Sequence, residues 1–518
     1  MKLLLVVIDA ATPHVVCPAV RTGRLPVLRR LADAGTIHEA SVSIFPSITP
    51  AATTSIVTGA YPAEHGIAGA SWYDQHREEV AYYGDDFWVI AREGFGHFIN
   101  DFLLRLNGDR LRVPTLFEMV ERAGRRAASL NYLVFRGNHA HAVSMPGMMA
   151  ALPGVPLKET VEGPSMLYLG DFVRTPLPPT PGRVRSHKGG LLHRFGMDDE
   201  STGVLLRELL AASPERPDLT VAYFADNDYR SHEVGPVAAL PVIERVDRML
   251  GAAFDAAGGI ERVLADTCVI ITSDHGHSDI VGSAEQAGIR LDRVLGNFRQ
   301  ATLGRPWRPR DEIMICPNMR AAQIYVREPA PDLIAMIIDD LLAEPRVDQV
   351  ISRTALTVPG RAGYSVLSGR GRLEFTRILD GGLLDPFGGR WEWRGDAAAV
   401  GLERHDGRID FDQYPNAFER IAGALDLDQS GEIWVTARPG CEFEVPGGEA
   451  HVGGASHGAL HALDSFSPVI LAGAGINLRL SRHFRSVDLA PLCMDLLGLP
   501  MRYRPGMPRG SRFIGAPA

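Results

Sequence analysis

The sequence predicts an α/β protein in which a mostly parallel central sheet carries helices on both faces and an inserted cap subdomain sits beside it. Three observations predict this class. Short apolar runs rich in valine, isoleucine and leucine recur along the chain, as strands buried on both faces require. Segments of helical character separate these runs. Several of the runs stop at acidic residues, where an open α/β sheet offers the carboxyl ends of its strands to a ligand.

The first run, Lys2–Ile8, holds no polar residue after Lys2 and ends at Asp9. Residues 28–34 read as a helix and 37–45 as a second strand with some alternation. In the segment PSITPAATTSIVTG, Pro50 suits a first helical turn and Thr49 an N-cap, so a small buried helix is expected up to Gly59. Residues 126–135 and 219–225 supply further strands. The second of these leads into Asp226, Asn227 and Asp228 and then into a helix around 241–257. Residues 267–272 form another apolar strand that reaches acid at Asp274. The core pattern returns at 467–472, and 486–497 reads as a closing amphipathic helix. Asp9, Asp228 and Asp274 are thereby expected to converge at one edge of the sheet.

Residues 1–317 are expected to form the α/β core, with a small insertion over about 71–112. Residues 318–450 change character: 322–326, 333–342 and 349–351 look like a small α/β unit, and 360–411 is rich in glycine and arginine. This stretch is taken as an inserted cap, after which 451–518 returns to the core. The aromatic residues Trp72, Tyr73, Tyr82, Tyr83, Phe87 and Trp88 suit either a substrate pocket or the packing of an insertion.

Lys and Arg number 53 against 62 Asp and Glu, leaving a formal charge of -9 with no basic run. That balance excludes a nucleic-acid polymer as a bulk partner. A small anion stays within reach if a metal supplies local positive charge. The five cysteines are odd in number and widely spaced, which fits a reducing compartment, so a cytoplasmic protein is expected. No apolar run approaches the length of a membrane span, and Leu3 to Ile8 is too short for a signal peptide's apolar region.

Four segments place acidic or imidazole groups after strands: Asp9, the Asp228 to His232 stretch, Asp274-His275-Gly276-His277, and Ser456-His457-Gly458. A mixture of Asp and His with few Cys suits Zn²⁺, with Mn²⁺ or Fe²⁺ as alternatives. Two such ions can clamp the attacking and leaving oxygens of a displacement and activate a hydroxyl as nucleophile. The helix beginning near Thr49 would turn its first amides toward an anion; Pro50 has no N–H, which leaves Ala51 as donor.

The order of these pieces resembles the alkaline phosphatase superfamily, and most closely its type I phosphodiesterase/nucleotide pyrophosphatase and phosphonoacetate hydrolase branch. The shared pattern is the strand ending in Asp, FPSITPAATTSIVTGAYPAEHGI, Asp-x3-His-x2-Gly-Pro, SDHG, a late Ser-His-Gly and VDLAPLCMDLLGLP. The resemblance implies one metal held by Asp228, His232 and His457. A second would be held by Asp9, Asp274, His275 and the oxygen of Thr49. It implies Thr49 as nucleophile, forming a phospho-threonine intermediate, with Ser47, Thr53 and Thr54 as rivals. His277, His451 and His461 stand beside motif positions and receive no role.

One departure concerns substrate. The branch places an Asn after its HGI segment to hold a phosphoryl oxygen; in HGIAGASWYD that position is Ala70. Arg230, Asn131 and Arg136 are candidates to replace it. The expected function is a dinuclear-metal phosphoesterase acting on a small phosphodiester or related phosphoanhydride. A phosphomonoesterase or phosphonate hydrolase is the alternative, and an inactive metal-binding homologue a third.

Overall fold

The computed structural model describes residues 1–84, 94–147, 159–176, 189–212, 215–303, 305–444, 449–474 and 480–501. Phe87 and Trp88 of the aromatic group lie outside these residues.

Lys2–Ile8 sits between Leu219–Phe224 and Thr267–Thr272 and runs parallel to both, with Ile8 opposite Phe224 and Val7 opposite Thr272. From Leu3 onward the strand is buried, and the pleat divides it between two cores. Leu3, Leu5 and Val7 join a core with Ala52, Ile56, Phe117 and Leu492, from helices on one face. Leu4, Val6 and Ile8 join another with Val16, Leu31, Leu206 and Ile243, from helices on the opposite face. Both faces are covered, which is why the strand alternates in direction but not in polarity.

Among the described residues the central sheet has nine strands, ordered Phe484–Arg485, Gly35–Val42, Phe466–Gly473, Thr267–Thr272, Lys2–Ile8, Leu219–Phe224, Ala127–Leu130, Met166–Leu169 and Val173–Arg174. Phe466–Gly473 runs antiparallel to both neighbours, so the parallel core carries an antiparallel wing. A second sheet, of ten strands among the described residues, draws on the chain from Ile313–Asn318 to Ile433–Ala437, so its first strand begins before residue 318. Helix Pro331–Ala343 covers part of it through Ile334, Ile337 and Leu341.

Several element ends differ from the sequence expectation for identifiable reasons. The strand expected over 126–135 stops at Leu130, because Asn131 takes a left-handed backbone with φ of 56°. The long helix starts at Pro236, a residue suited to the first turn. Pro241 lies inside that helix, and the carbonyl it cannot serve belongs to solvent-exposed Val237. Thr49 is the first helical residue rather than the cap, which is Ile48. The closing segment is a 3-10 turn, Ser486–Asp488, followed by helix Leu489–Leu496.

The two sheets are joined through a buried ion pair. Arg320, just before strand Ala321–Val326 of the second sheet, pairs with Asp464, two residues before central strand Phe466–Gly473. Neither side chain is exposed to solvent. Asp464 also accepts the Ser278 hydroxyl and, at 2.8 Å, the Ala459 N–H, while Arg320 donates its backbone N–H to the His457 carbonyl at 2.8 Å. Removing one member leaves the other charge buried, so Asp464→Ala is expected to destabilise the fold by about 3–5 kcal/mol in chemical denaturation. Glu261→Ala, which breaks the exposed pair with Arg30, should cost no more than about 1 kcal/mol. Equal effects would contradict the assigned role of the buried pair.

Candidate metal centre

The parallel register sets the ends of three neighbouring strands side by side. Asp9 follows Lys2–Ile8, and the Asn227 side chain donates to its carbonyl at 2.8 Å, tying the two strand ends together. One Asp9 oxygen accepts the Tyr223 hydroxyl. Helix Asp226–Val234 starts just beyond Leu219–Phe224 and carries Asp228 and His232 one turn apart on one face. Asp274 and His275 follow Thr267–Thr272, and Asp274 Oδ1 accepts the N–H of His275 at 3.1 Å and of Ala10 at 3.3 Å.

His457 comes from a different direction. Ala455–Ser456 pairs antiparallel with Ser278–Asp279, and Gly458 bridges to Ser47. Gly458 has φ of 117°, and a Cβ there would lie 2.6 Å from the Asn318 carbonyl, so the turn after His457 requires glycine. His457 thereby stacks on His275, with ring centroids 3.8 Å apart and planes inclined by 15°.

The imidazoles share one orientation logic. His232 Nδ1 meets the Ala455 carbonyl at 2.7 Å, His457 Nδ1 the Ser47 carbonyl at 2.8 Å, and His275 Nδ1 the Gly276 carbonyl at 3.1 Å. A carbonyl can only accept, so each Nδ1 carries the proton and each Nε2 a lone pair, the arrangement found in metal-binding histidines. Thr49 Oγ1 lies 3.1 Å from His275 Nε2.

Among the described residues, the buried side-chain atoms left without a hydrogen-bond partner include Asp9 Oδ1, Asp228 Oδ1, His232 Nε2, Asp274 Oδ2, His277 Nε2 and His457 Nε2. Each would cost about 1–3 kcal/mol if nothing met it. Two groups close enough to share an ion emerge: Asp228, His232, His277 and His457, and Asp9, Asp228 and His275. Asp274 Oδ2 lies 3.5 Å from His275 Nε2, next to the second. The donor set, carboxylate oxygens with imidazole lone pairs, suits zinc or another first-row divalent ion.

The electrostatics lead the same way. Burial pushes the Asp9 carboxyl well above its ordinary range, and Asp274 and Asp228 add to the rise. Burial opposes ionisation of Asp228 as well, and its carboxyl is held well below the usual value only through positive charge on His232, His277 and His457. Burial lowers His277 to about 4 and His457 well below its normal value, so both rings are neutral at pH 7. Crowded carboxylates beside neutral imidazoles form a site that lacks only positive charge.

All seven expected metal-site residues (Asp9, Thr49, Asp228, His232, Asp274, His275 and His457) meet in this cluster. The competing hydroxyls are occupied elsewhere: Ser47 bonds the Ala459 carbonyl at 2.8 Å, Thr53 the Thr49 carbonyl at 2.6 Å and Thr54 the Pro50 carbonyl at 2.6 Å. Ala51 is buried in the first turn of helix Thr49–Thr58, where its N–H has no intrahelical acceptor.

The candidate substrate contacts fare differently. Arg230 is half exposed and pairs with Glu233 at 2.7 Å, so the structure turns it away from the cluster. Asn131 spends both amide hydrogens on the Gly196 carbonyl and Thr202 Oγ1, at 3.0 and 2.9 Å, and its oxygen accepts from Gly170. It ties the turns at Gly170 and Gly196 to helix Asp199–Ala211. Arg136 pairs with Glu118 at 3.0 Å. His461 accepts the Leu463 N–H and caps a short turn.

Trp72 is buried and stacks on Tyr83, with Arg110 over both rings, which makes this part of the aromatic group core rather than pocket wall. A third acidic and imidazole group, Glu79, His97 and Asp101, already has its cations in Arg105 and Arg110. His277 is the member that sequence reasoning left without a role. Its spacing of two from His275, which in an extended segment puts two side chains on one side, is the signal in the sequence.

A sequence model described as type I phosphodiesterase/nucleotide pyrophosphatase matches residues 3–459. Ectonucleotide pyrophosphatase/phosphodiesterase family member 1 of Mus musculus is 23% identical over 291 residues; the match spans 53% of this chain but only 24% of that protein. Murine ectonucleotide pyrophosphatase/phosphodiesterase 5 superposes over 99% of this chain and 100% of its own, with a TM-score of 0.55 at 14% identity. Phosphonoacetate hydrolase from Sinorhizobium meliloti, in complex with phosphonoformate, superposes over 96% of each chain with a TM-score of 0.55 at 17% identity. The likeness to these structures establishes the alkaline-phosphatase-like fold.

The helix that carries Asp228 and His232 is seated by Asp199, a fully buried residue whose Oδ1 accepts the Asp226 N–H at 3.0 Å. Burial pushes its carboxyl up to about 7, against the pull of Arg245 and Arg194. The folded state therefore binds this proton more tightly than the unfolded chain. The resulting stabilisation is complete below about pH 4 and is lost as the pH rises to about 7. Asp199→Asn keeps the acceptor and cannot ionise. Its stability relative to the parent is expected to rise by the order of a few kcal/mol between those two pH values and then level off. Denaturation curves at fixed salt check this, and a difference independent of pH would contradict it.

Proposed function

The chain belongs to the type I phosphodiesterase/nucleotide pyrophosphatase family, and from that premise we propose that it is a metal-dependent phosphoesterase hydrolysing a small phosphodiester or related phosphoanhydride through Thr49. The observation that carries the reading is the placement of Thr49. Its hydroxyl stands 3.1 Å from His275 at the start of a buried helix, beside buried donor atoms that have no hydrogen-bond partner among the described residues.

Asp228, His232 and His457 would hold one divalent ion, and Asp9, Asp274, His275 and Thr49 Oγ1 the other, with zinc first and manganese or iron as alternatives. Bound there, the ions would supply Lewis acidity, neutralising phosphoryl charge and favouring ionisation of a hydroxyl. The remaining steps belong to the chain's own groups. Thr49 Oγ bonds to phosphorus as its proton passes to solvent, and the bond from phosphorus to the leaving oxygen breaks on the opposite side, that oxygen departing with the electron pair. The Ala51 N–H, in the first turn, would meet a phosphoryl oxygen. Water then attacks the phospho-threonine and restores the hydroxyl. A threonine-to-alanine variant of murine ectonucleotide pyrophosphatase/phosphodiesterase 5 is described as inactive and in complex with AMP, which supports this reading.

A second reading, a phosphomonoesterase or phosphonate hydrolase, is favoured by one observation. Where the branch supplies an Asn side chain this chain has Ala70, whose N–H instead donates to Asn318 at 2.7 Å. The Asn318 amide donates onward to the Ser71 and Cys316 carbonyls, so it is not free to bind a phosphoryl group. In either reading the partner is a small phosphate ester or phosphonate. Residues 318–450 are proposed as the insertion that caps a core formed by 1–317 and 451–518. Among the described residues no helix is long and apolar enough to cross a membrane. A cytoplasmic location is proposed from the thiols of Cys17, Cys268, Cys441 and Cys493, none of them in a disulfide.

Thr49→Ala is expected to lower hydrolysis of a bis-aryl phosphate by about three orders of magnitude or more, while Thr49→Ser retains part of it. Rates on bis-aryl phosphate, aryl phosphate and aryl phosphonate, with Zn²⁺ and with Mn²⁺, separate the two readings. Undiminished turnover by Thr49→Ala would overturn the mechanism. A dominant monoester or phosphonate rate would replace the first reading with the second.

A further inference from the structure

His277 lies outside the ligand set that the family resemblance implies, yet it is fully buried. Neither of its ring nitrogens has a hydrogen-bond partner among the described residues. Its Nε2 stands 3.0 Å from Asp228 Oδ1, but the approach is not that of a hydrogen bond, and both atoms remain without one. Asp228 Oδ1 has the same relation to His232 Nε2 at 3.5 Å and to His457 Nε2 at 3.6 Å. Donor atoms this close that do not point at one another point at a common centre. Four donors arranged tetrahedrally around an ion at 2.0–2.1 Å lie about 3.3 Å apart, and these three separations bracket that spacing.

Ring positions assign His277 to this group and not to the other. Its centroid is 4.7 Å from His232 and 4.9 Å from His457, but 5.9 Å from His275. Glycine at 276 makes the approach feasible, since a Cβ there would lie 2.3 Å from the Leu463 carbonyl and push the strand away.

We propose that His277 is a fourth protein donor to the ion held by Asp228, His232 and His457, an inference that rests on reading the cluster as a metal centre. Four protein donors complete a tetrahedral shell, so the two positions differ in kind. The one at Asp228 retains its ion tightly. The one beside Thr49 depends on a hydroxyl that must also react, and it exchanges more readily. His277 Nδ1 lacks the carbonyl that fixes His232, His275 and His457, so its ring is oriented by packing and by the ion.

The test strips the full-length protein of metal and reloads it with Co²⁺, for the parent, His277→Ala and His277→Gln. Affinity for each equivalent is measured by competition with a chromophoric chelator, alongside the visible spectrum of bound Co²⁺. For His277→Ala, one equivalent is expected to bind more than 100-fold more weakly with an altered spectrum, while the other is unchanged, and His277→Gln gives no rescue. A residue that merely orients Asp228 would cost about 10–100-fold, leave the spectrum intact and be rescued by Gln. That result, or unchanged affinities, overturns the proposal. If the parent binds no Co²⁺ at either position, the metal-centre reading falls, and this inference with it. Should His277→Ala not fold, His277→Leu fills the volume without a donor and carries the same comparison.

Discussion

Three parallel strands held in register impose the constraint on which the rest of the structure depends. With Ile8 opposite Phe224 and Val7 opposite Thr272, the chain leaves the sheet at nearly one level on three adjacent strands. Asp9, Asp228 and Asp274 therefore meet in a dry region where their mutual repulsion is hardly screened. Such an arrangement persists only if the surroundings answer the charge. Part of the answer is local: the Tyr223 hydroxyl on Asp9 and backbone N–H groups on Asp274. The row of imidazoles does not supply the remainder: its protons face backbone carbonyls and its lone pairs face the carboxylates, which leaves the charge to be met by a cation.

The fourth wall of the cluster comes from far along the chain. His457 is positioned by a two-residue strand pairing, a bridge to Ser47 and the Arg320 N–H on its carbonyl. Each of these contacts joins segments more than a hundred residues apart. Asp464 binds the Arg320 guanidinium, the Ser278 hydroxyl and the Ala459 N–H, fixing both sides of the turn that carries His457. The second sheet thus bears on the cluster through one buried ion pair as well as through packing.

What was legible in the sequence followed from local rules. Apolar runs ending in acid located Asp9, Asp228 and Asp274, because a strand buried on both faces cannot be polar before its end. Thr49 was legible from the proline after it. The pairing within the second sheet was not. Residues 322–351 read as a unit separate from the glycine-rich stretch, yet Ile433–Ala437 inserts between Ala321–Val326 and Val347–Arg353, joining all of it in one sheet. Strand order of that kind depends on contacts across about a hundred residues, which no local pattern encodes. The partners that Asn131 and Arg230 take in the fold were not legible for a related reason. Polar residues just after a strand can face a ligand or tie loops together, and only the partners tell which.

The local charge accounts for how an acidic chain can attract a phosphate. In the proposed reading the three carboxylates carry three negative charges and two divalent ions four positive ones, so the centre keeps a single positive charge while Thr49 is protonated. When the threonine hydroxyl ionises, that charge is neutralised and the nucleophile is held where the attraction was strongest. Neutral His277 would add a donor without adding charge, so it leaves this balance untouched while tightening one ion. A carboxylate in its place would tip the centre toward neutrality before the substrate arrived. An imidazole is therefore the side chain that can extend the donor set here without weakening the pull on an anion.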